Sequence, residues 1–481
     1  MKDVNETGLK GRDICDLSLT EVGAGIRGGA FTPVEATEAV LARMAALEPK
    51  LSSYITITAE HALERAEQAQ AELQAGLYRG PLHGVPVAVK DLCETSFAPT
   101  TGGMAIYKGN ETGRDSTVVT RLEQAGAVML GKLAMTEGAY SGHHPEMPTP
   151  VNPWYDKAWA GASSSGSGVA TAAGLCFGSL GSDTGGSIRF PSAACGITGL
   201  KGTWGRVSRH GVFALADSLD HVGPMARTAA DCAAMMQVLA GADAADPTTL
   251  DAPVPDYLAG LSAPIRGLRI GVDAAMIVDG VSPETAEVMR GAIAAYEALG
   301  AEIVPITLPF PPETTAHWTA LCAIEVALAH KDTYPARKAE YGPYLDGLLA
   351  MGHEVTAMEV GEALQWRLVY NGALSKVMEA VDTVLLPVTV APLPDLDNAL
   401  GAPSDDGGNA DLGDLLKFTA PADLTGFPSL TMPGGFDRRG APIGFQLMGK
   451  ALGEGLLLQA GHAFQSVTDW HTKRPDLSAF Q

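Results

Sequence analysis

Apolar and polar positions change period several times along the chain. From 17 to 76 the sequence is rich in Ala, Leu and Glu, apolar residues recur three and four apart, and Thr32-Pro33-Val34-Glu35 has the form of a helix start. This stretch predicts a helical opening, 1–80. At Pro81 the texture changes: LHGVPVAVKD alternates Val85, Val87 and Val89 and predicts a buried strand ending at Lys90 and Asp91. Two later segments predict a helix followed by a strand, Ser116 to Ala125 with 126–130, and Pro283 to Leu299 with 300–304, a glycine closing each helix. LRIGV at 268–272 and TVLLP at 383–387 add strands, and 308–380 predicts helix. The acidic, turn-rich run 392–413 reads as a surface loop or as a pocket rim. This alternation predicts an α/β protein, a mostly open sheet with helices on both faces, and no internal repeat is visible.

Length and charge narrow the function. A chain of 481 residues can bury a large core. A formal net charge of −22 argues against nucleic acid and against anionic membrane surfaces as partners, both of which select basic patches, and serves solubility. Cys15, Cys93, Cys176, Cys195, Cys232 and Cys322 have no CxxC spacing and read as buried free thiols. The first residues lack the apolar run of a signal peptide, so the cytoplasm is the expected location. The stretch 169–180, interrupted by Gly174 and Gly178, is too short to span a bilayer. His83 and the His143-His144 pair lack acidic or cysteine partners at metal spacing, so no metal is expected, and no cofactor.

The chemistry concentrates in 161–201, GASSSGSGVATAAGLCFGSLGSDTGGSIRFPSAACGITGLK, where two serine-rich, glycine-flanked turns surround a short apolar segment. Backbone that approaches a reacting carbonyl needs glycine for clearance, and hydroxyls in this number are of no use to a packed core. Serine is inert until something removes its proton. A G-x-S-x-G elbow is absent; the nearest match, Ala162 to Gly166, follows no strong strand, which argues against a Ser-His-Asp hydrolase. A lysine in an apolar site can be the base instead, because desolvation lowers its pKa, and Lys90 at the end of an apolar strand fits.

Leu82 to Asp91, the Ser/Gly block 161–168 and GSDTGGSIRFP at 181–191 together resemble the amidase signature family. The resemblance extends to 126–135, Asn152-Pro153, 195–201, 418–433 and 440–449, in the family's order. It implies one amidase-signature fold over 1–481, a mixed twisted sheet covered by helices on both faces. Within it, 81–240 would be the signature core, 241–415 a variable pocket region and 416–481 the return to the core. It also implies a Ser-cisSer-Lys triad: Ser187 as nucleophile, Ser163, 24 positions earlier, as relay on a cis Ala162–Ser163 bond, and Lys90 as base. The backbone amides of Thr184, Gly185, Gly186 and Ser187 would form the oxyanion hole, with Ser164, Asp183 and Arg189 in support. Two departures from the family pattern are Ala162 and Ser165 at positions where glycine is usual, and a third is Asp423 where asparagine is frequent.

The triad implies the reaction and leaves the substrate open among small amides, anilides, carbamates (urethanes) and aryl esters. Met104, Tyr107, Gly138, Trp318 and Leu321 are candidate substrate-binding residues from their proximity to the motifs. A homodimer is an admissible assembly. Two other readings stand beside this one: the glutamine-hydrolysing subunit of a tRNA-dependent amidotransferase, and an inactive binding protein on the same fold.

Overall fold

The computed structural model describes residues 12–396 and 412–481, so most of the predicted acidic loop lies outside the described residues. Eleven strands, β1 (Tyr54–Ile57), β2 (Pro86–Lys90), β3 (Val128–Leu133), β4 (Gly178–Asp183), β5 (Thr198–Lys201), β6 (His221–Ala226), β7 (Arg269–Val272), β8 (Glu302–Pro305), β9 (Thr383–Pro387), β10 (Ser429–Phe436) and β11 (Pro442–Gly449), form one open mixed sheet. Their order is β1-β3-β2-β4-β6-β5-β10-β11-β9-β7-β8. Parallel pairs lie toward the two flanks, β2 with β3 and β4, and β7 with β8 and β9, while the middle strands pair antiparallel.

Several elements match the periodicity. Thr32 caps the helix Pro33–Leu51 reciprocally with Glu35. Ser116 precedes the helix Thr117–Gln124, and Ser282 caps Pro283–Ala298. The stretch 308–380 holds the helices Thr314–Ala329, Pro343–Glu354 and Ala357–Ala380. One correction concerns the helical opening: between its helices, Tyr54–Ile57 leaves the helical pattern and adds an edge strand antiparallel to β3. All four of its residues are β-branched or aromatic, and Ser52 at φ +52 ends the helix before it.

Two parallel neighbours position the site. Val89 of β2 stands opposite Leu180 of β4, so Lys90 and Ser182 emerge side by side at the carboxyl ends of adjacent strands, where open α/β sheets place their functional groups. The helix Ser165–Ala173, buried throughout, begins directly after Ser163 and Ser164 and brings both hydroxyls to the same point. The helix Arg189–Ala194 follows the turn 184–188 that leaves β4.

Candidate active site

Lys90 is fully buried, and its Nζ meets three hydroxyls: Ser163 Oγ at 2.6 Å, Ser182 Oγ at 2.8 Å and Ser164 Oγ at 3.0 Å. No carboxylate oxygen lies within hydrogen-bond reach of it among the described residues. Burial therefore dominates and pushes the ammonium down to about 7, against weaker opposing pulls from Cys93, Asp220 and Asp183. A neutral amine has one lone pair, and the shortest contact gives Ser163 the best claim to it. Ser164 binds the strand itself: its Oγ accepts from the Ser182 amide at 3.2 Å and donates to the Ser182 carbonyl at 3.2 Å.

Ser187 is 8% exposed, and its Oγ accepts the Ser163 amide at 3.3 Å. This contact carries a correction. The Ala162–Ser163 bond is not cis; the cis bond among the described residues is Tyr334–Pro335. A cis bond before a non-proline residue costs roughly 3 to 4 kcal/mol, and the observed turn already sets the Ser163 hydroxyl on Lys90 and its amide on Ser187 without that cost.

The turn 184–188 is held from below by Asp183, whose carboxylate accepts the amides of Gly186 at 2.6 Å, Ile188 at 3.0 Å and Arg189 at 3.3 Å. Arg189 doubles the hold through Nη2 at 2.8 Å and Nε at 3.0 Å. Burial alone would raise the Asp183 pKa, and the Arg189 charge overcomes it, leaving this carboxyl well below its usual range. The Gly186 amide is thereby engaged, so the expected four-amide hole is reduced here: among the described residues the amides of Thr184, Gly185 and Ser187 have no protein acceptor. Glycine is required at both central positions. A Cβ on Gly185 would come within 2.6 Å of the Trp318 ring, and Gly186 has φ +132 with the Phe190 ring 2.4 Å from a Cβ position.

Among the candidate substrate-binding residues, Trp318 reaches the turn, with Nε1 donating to the Thr184 carbonyl at 2.8 Å. Leu321, one turn on, is buried in the core. Met104 is buried against Gly102, Tyr107 tilts against Phe213 with ring centroids 5.9 Å apart, and Gly138, at φ +56, lies under Leu345. Ser165, where the family usually has glycine, bonds His143 at 3.1 Å; burial lowers the His143 pKa to about 4 and keeps the ring neutral. No cluster of potential metal ligands occurs among the described residues.

Five residues near the site escaped the sequence reading. Ser182 contacts Lys90, and Asp220 accepts the Thr184 hydroxyl at 2.6 Å. Ser182, Phe213, Asp220 and His221 border a cavity of about 10 Å³, room for one water. Lys201, buried at the end of β5, bonds His221 Nε2 at 3.0 Å. Its signal was present in the sequence, since TGLK ends on a lysine as PVAVK does.

The buried lysine among serine hydroxyls and the glycine turn bearing Ser187 are formed by the same segments that resemble the amidase signature family. The chain belongs to the Amidase family, whose model matches residues 35–458. It is 47% identical over 462 residues to AmiD of Mycobacterium tuberculosis (strain ATCC 25618 / H37Rv), an amidase by name, with 96% of each chain covered. It is 40% identical over 488 residues to a glutamyl-tRNA(Gln) amidotransferase subunit of Roseiflexus sp. (strain RS-1), covering 96% of this chain and 98% of that one. The native peptide amidase from Stenotrophomonas maltophilia superposes with a TM-score of 0.82 at 29% identity, covering 95% and 98%. No described helix is long and apolar enough to cross a membrane.

Proposed function

We propose that the protein hydrolyses small amides or anilides, and by the same chemistry carbamates or aryl esters, through an acyl-enzyme on Ser187. The observation that carries this reading is the hydroxyl cage of Lys90: a buried amine with no paired carboxylate among the described residues, its pKa lowered to about 7, can serve as a base at neutral pH. Ser163 touches both partners, its hydroxyl on Lys90 and its amide on Ser187. In the first half-reaction Ser187 Oγ bonds to the carbonyl carbon, and the carbonyl π pair moves to oxygen. The Ser187 proton passes through Ser163 to Lys90. Collapse of the oxyanion breaks the bond to the leaving nitrogen or oxygen, which takes that proton back from Lys90 by way of Ser163. Water then attacks the ester, gives its proton to Lys90, and a second collapse frees the acid and returns the proton to Ser187. The amides of Thr184, Gly185 and Ser187 are the oxyanion donors available in this conformer.

The test is product release, by mass spectrometry, from a matched anilide, aryl ester and O-alkyl N-aryl carbamate, with wild type beside Ser187→Ala. Turnover confined to wild type is expected, and its ranking fixes the substrate class. A folded wild type inert toward all three overturns the reading. The 40% identity to a chain of a tRNA-dependent amidotransferase supports a second reading, glutamine hydrolysis within a larger assembly. Copurification with a second subunit, together with glutaminase activity, would decide for it.

A further inference from the structure

Behind the turn that carries Ser187, two carboxyl groups share one guanidinium nitrogen. Arg189 Nη2 lies 2.8 Å from Asp183 Oδ1 and 2.6 Å from Asp423 Oδ2, all three side chains being fully buried. Two carboxylates this close do not both ionise readily. They are not equivalent. Asp183 also accepts three backbone amides, whereas Asp423 Oδ1 has no hydrogen-bond partner among the described residues. That oxygen lies 3.5 Å from His221 Nδ1, which also stands 3.2 Å from the Asp183 backbone carbonyl, and the other ring nitrogen, Nε2, lies 3.0 Å from Lys201 Nζ. A carboxyl, an imidazole and an amine thus stand in line, on the helix Ala420–Thr425, on β6 and on β5.

We propose that Asp423 is a positioning residue that acts as a neutral acid beneath the Ser187 turn, holding a proton that it exchanges with Lys201 through His221. The inference rests on the reading of Ser187 as nucleophile. With the proton on Asp423, its O–H turns to His221 Nδ1 in place of that ring nitrogen's contact with the Asp183 carbonyl, while Nε2–H faces the Lys201 lone pair. When the proton shifts, the Asp423 O–H bond breaks as Nδ1–H forms and donates to the Asp183 carbonyl, and Nε2–H breaks as a third N–H forms on Lys201. Both states carry the same net charge, because Arg189 and Asp183 cancel in each. They differ in what Arg189 feels. A neutral Asp423 leaves the guanidinium to Asp183 and so keeps the Gly186 amide in place, whereas an ionised Asp423 competes for it.

The electrostatics agree with this placement. Burial, with Asp183 adding to it, raises the Asp423 carboxyl far above its usual range despite Arg189 and Lys201. Burial lowers Lys201 to about 7 against the pull of Asp423, and holds His221 well below its ordinary value, with Lys201 adding to the effect. The remaining charged or titratable neighbours are Arg367 and the Cys322 thiol facing Asp423, and Glu454 near Lys201. A protonated carboxyl offers one donor and one acceptor, as does the asparagine frequent at this position of the motif.

Two measurements on the full chain test this across pH 5 to 9.5. In isotope-edited infrared spectra of protein labelled with 13C-aspartate, the wild type minus Asp423→Asn difference should contain a protonated-carboxyl band at pH 7. Lys201→Met, which removes the amine that would take the proton, should keep that band. In the second, inactivation of Ser187 by an organophosphorus probe should slow at least threefold on the alkaline side of its optimum in wild type, and should not in Asp423→Asn. Absence of the band at every pH overturns the neutral acid, and superimposable inactivation profiles overturn the positioning role. A wild type that never reacts with the probe counts against Ser187 as nucleophile, and the band then decides the state of Asp423 alone.

Discussion

Lys90 and Lys132 stand on adjacent parallel strands, both fully buried, and their surroundings differ in one respect. Lys132 Nζ lies 3.1 Å from the Asp91 carboxylate and also bonds Thr100 Oγ1 at 2.7 Å and the Pro99 carbonyl at 3.2 Å. Lys90 has three hydroxyls and, among the described residues, no carboxylate. A counter-charge compensates the desolvation of an ammonium, while hydroxyls compensate it only in part, so the unpaired lysine gives up its proton near neutrality. The comparison teaches that the base proposed here depends on burial without a counter-charge, not on burial alone.

The largest expected effect separates the two lysines by activity. Lys90→Met and Ser187→Ala should each reduce turnover by roughly 10³- to 10⁴-fold or more, the scale for losing a member of a nucleophile–base unit. Circular dichroism should show both variants folded; near-wild-type turnover in either would break the comparison.

Next comes stability, where the same substitution should act in opposite directions. Lys132→Met leaves Asp91 buried without its cation and should cost about 3 to 5 kcal/mol in denaturant unfolding. Lys90 is a cation whose folded pKa is depressed, so wild type is progressively penalised as pH falls from the unfolded value of about 10.4 to the folded one near 7. Lys90→Met removes that penalty and should melt higher than wild type at pH 7, with the margin shrinking toward pH 10. Equal melting shifts in the two variants would remove the distinction.

A third effect is the acid limb of kcat/KM. If Lys90 is the base proposed above, its neutral amine is the active form, and the rate should fall about tenfold per pH unit below about 7 and level off above it. A limb displaced to the carboxylate range would assign the base elsewhere. The smallest effect belongs to Ser182→Ala, which removes one of three hydroxyls from Lys90 and should cost about 1 kcal/mol of transition-state stabilisation, or several-fold in rate.

Much of this arrangement was legible in the residues. The alternating valines of 85–89 located β2 and its terminal lysine, and the serine and glycine spacing located the two turns that meet it. β4 was harder, because GSLGSD is a strand without apolar alternation: it is buried on both faces and shaped by close neighbours, Met225 Sδ standing 2.6 Å from a Cβ position at Gly181. Ser182, Asp220 and His221 followed from that strand and its antiparallel partner β6, a pairing set by long-range register that no local pattern encodes. The loss of the Gly186 amide to Asp183 is likewise a matter of ångströms. The role proposed for Lys90 rests on residue type and that for Ser187 on the family resemblance, whereas Trp318 beside Gly185 came from a helical region whose composition says little.

That Trp318 comes from such a region has a consequence for protein engineering. The hydroxyl cage of Lys90 is built by the motif-bearing strands and turns, and the indole packed against the 184–185 turn belongs to the segment with the weakest motif. A segment of 308–380 exchanged for that of a relative would alter what packs on that turn, provided that the bonds of Glu325 and Arg367 to Ser218 and of Arg367 to Leu424 are kept. Such a chimera must bring either a flat ring that clears Gly185 within van der Waals contact or a smaller residue together with a new donor for the Thr184 carbonyl, and libraries built without that constraint will fill with folded proteins whose Ser187 turn has slackened.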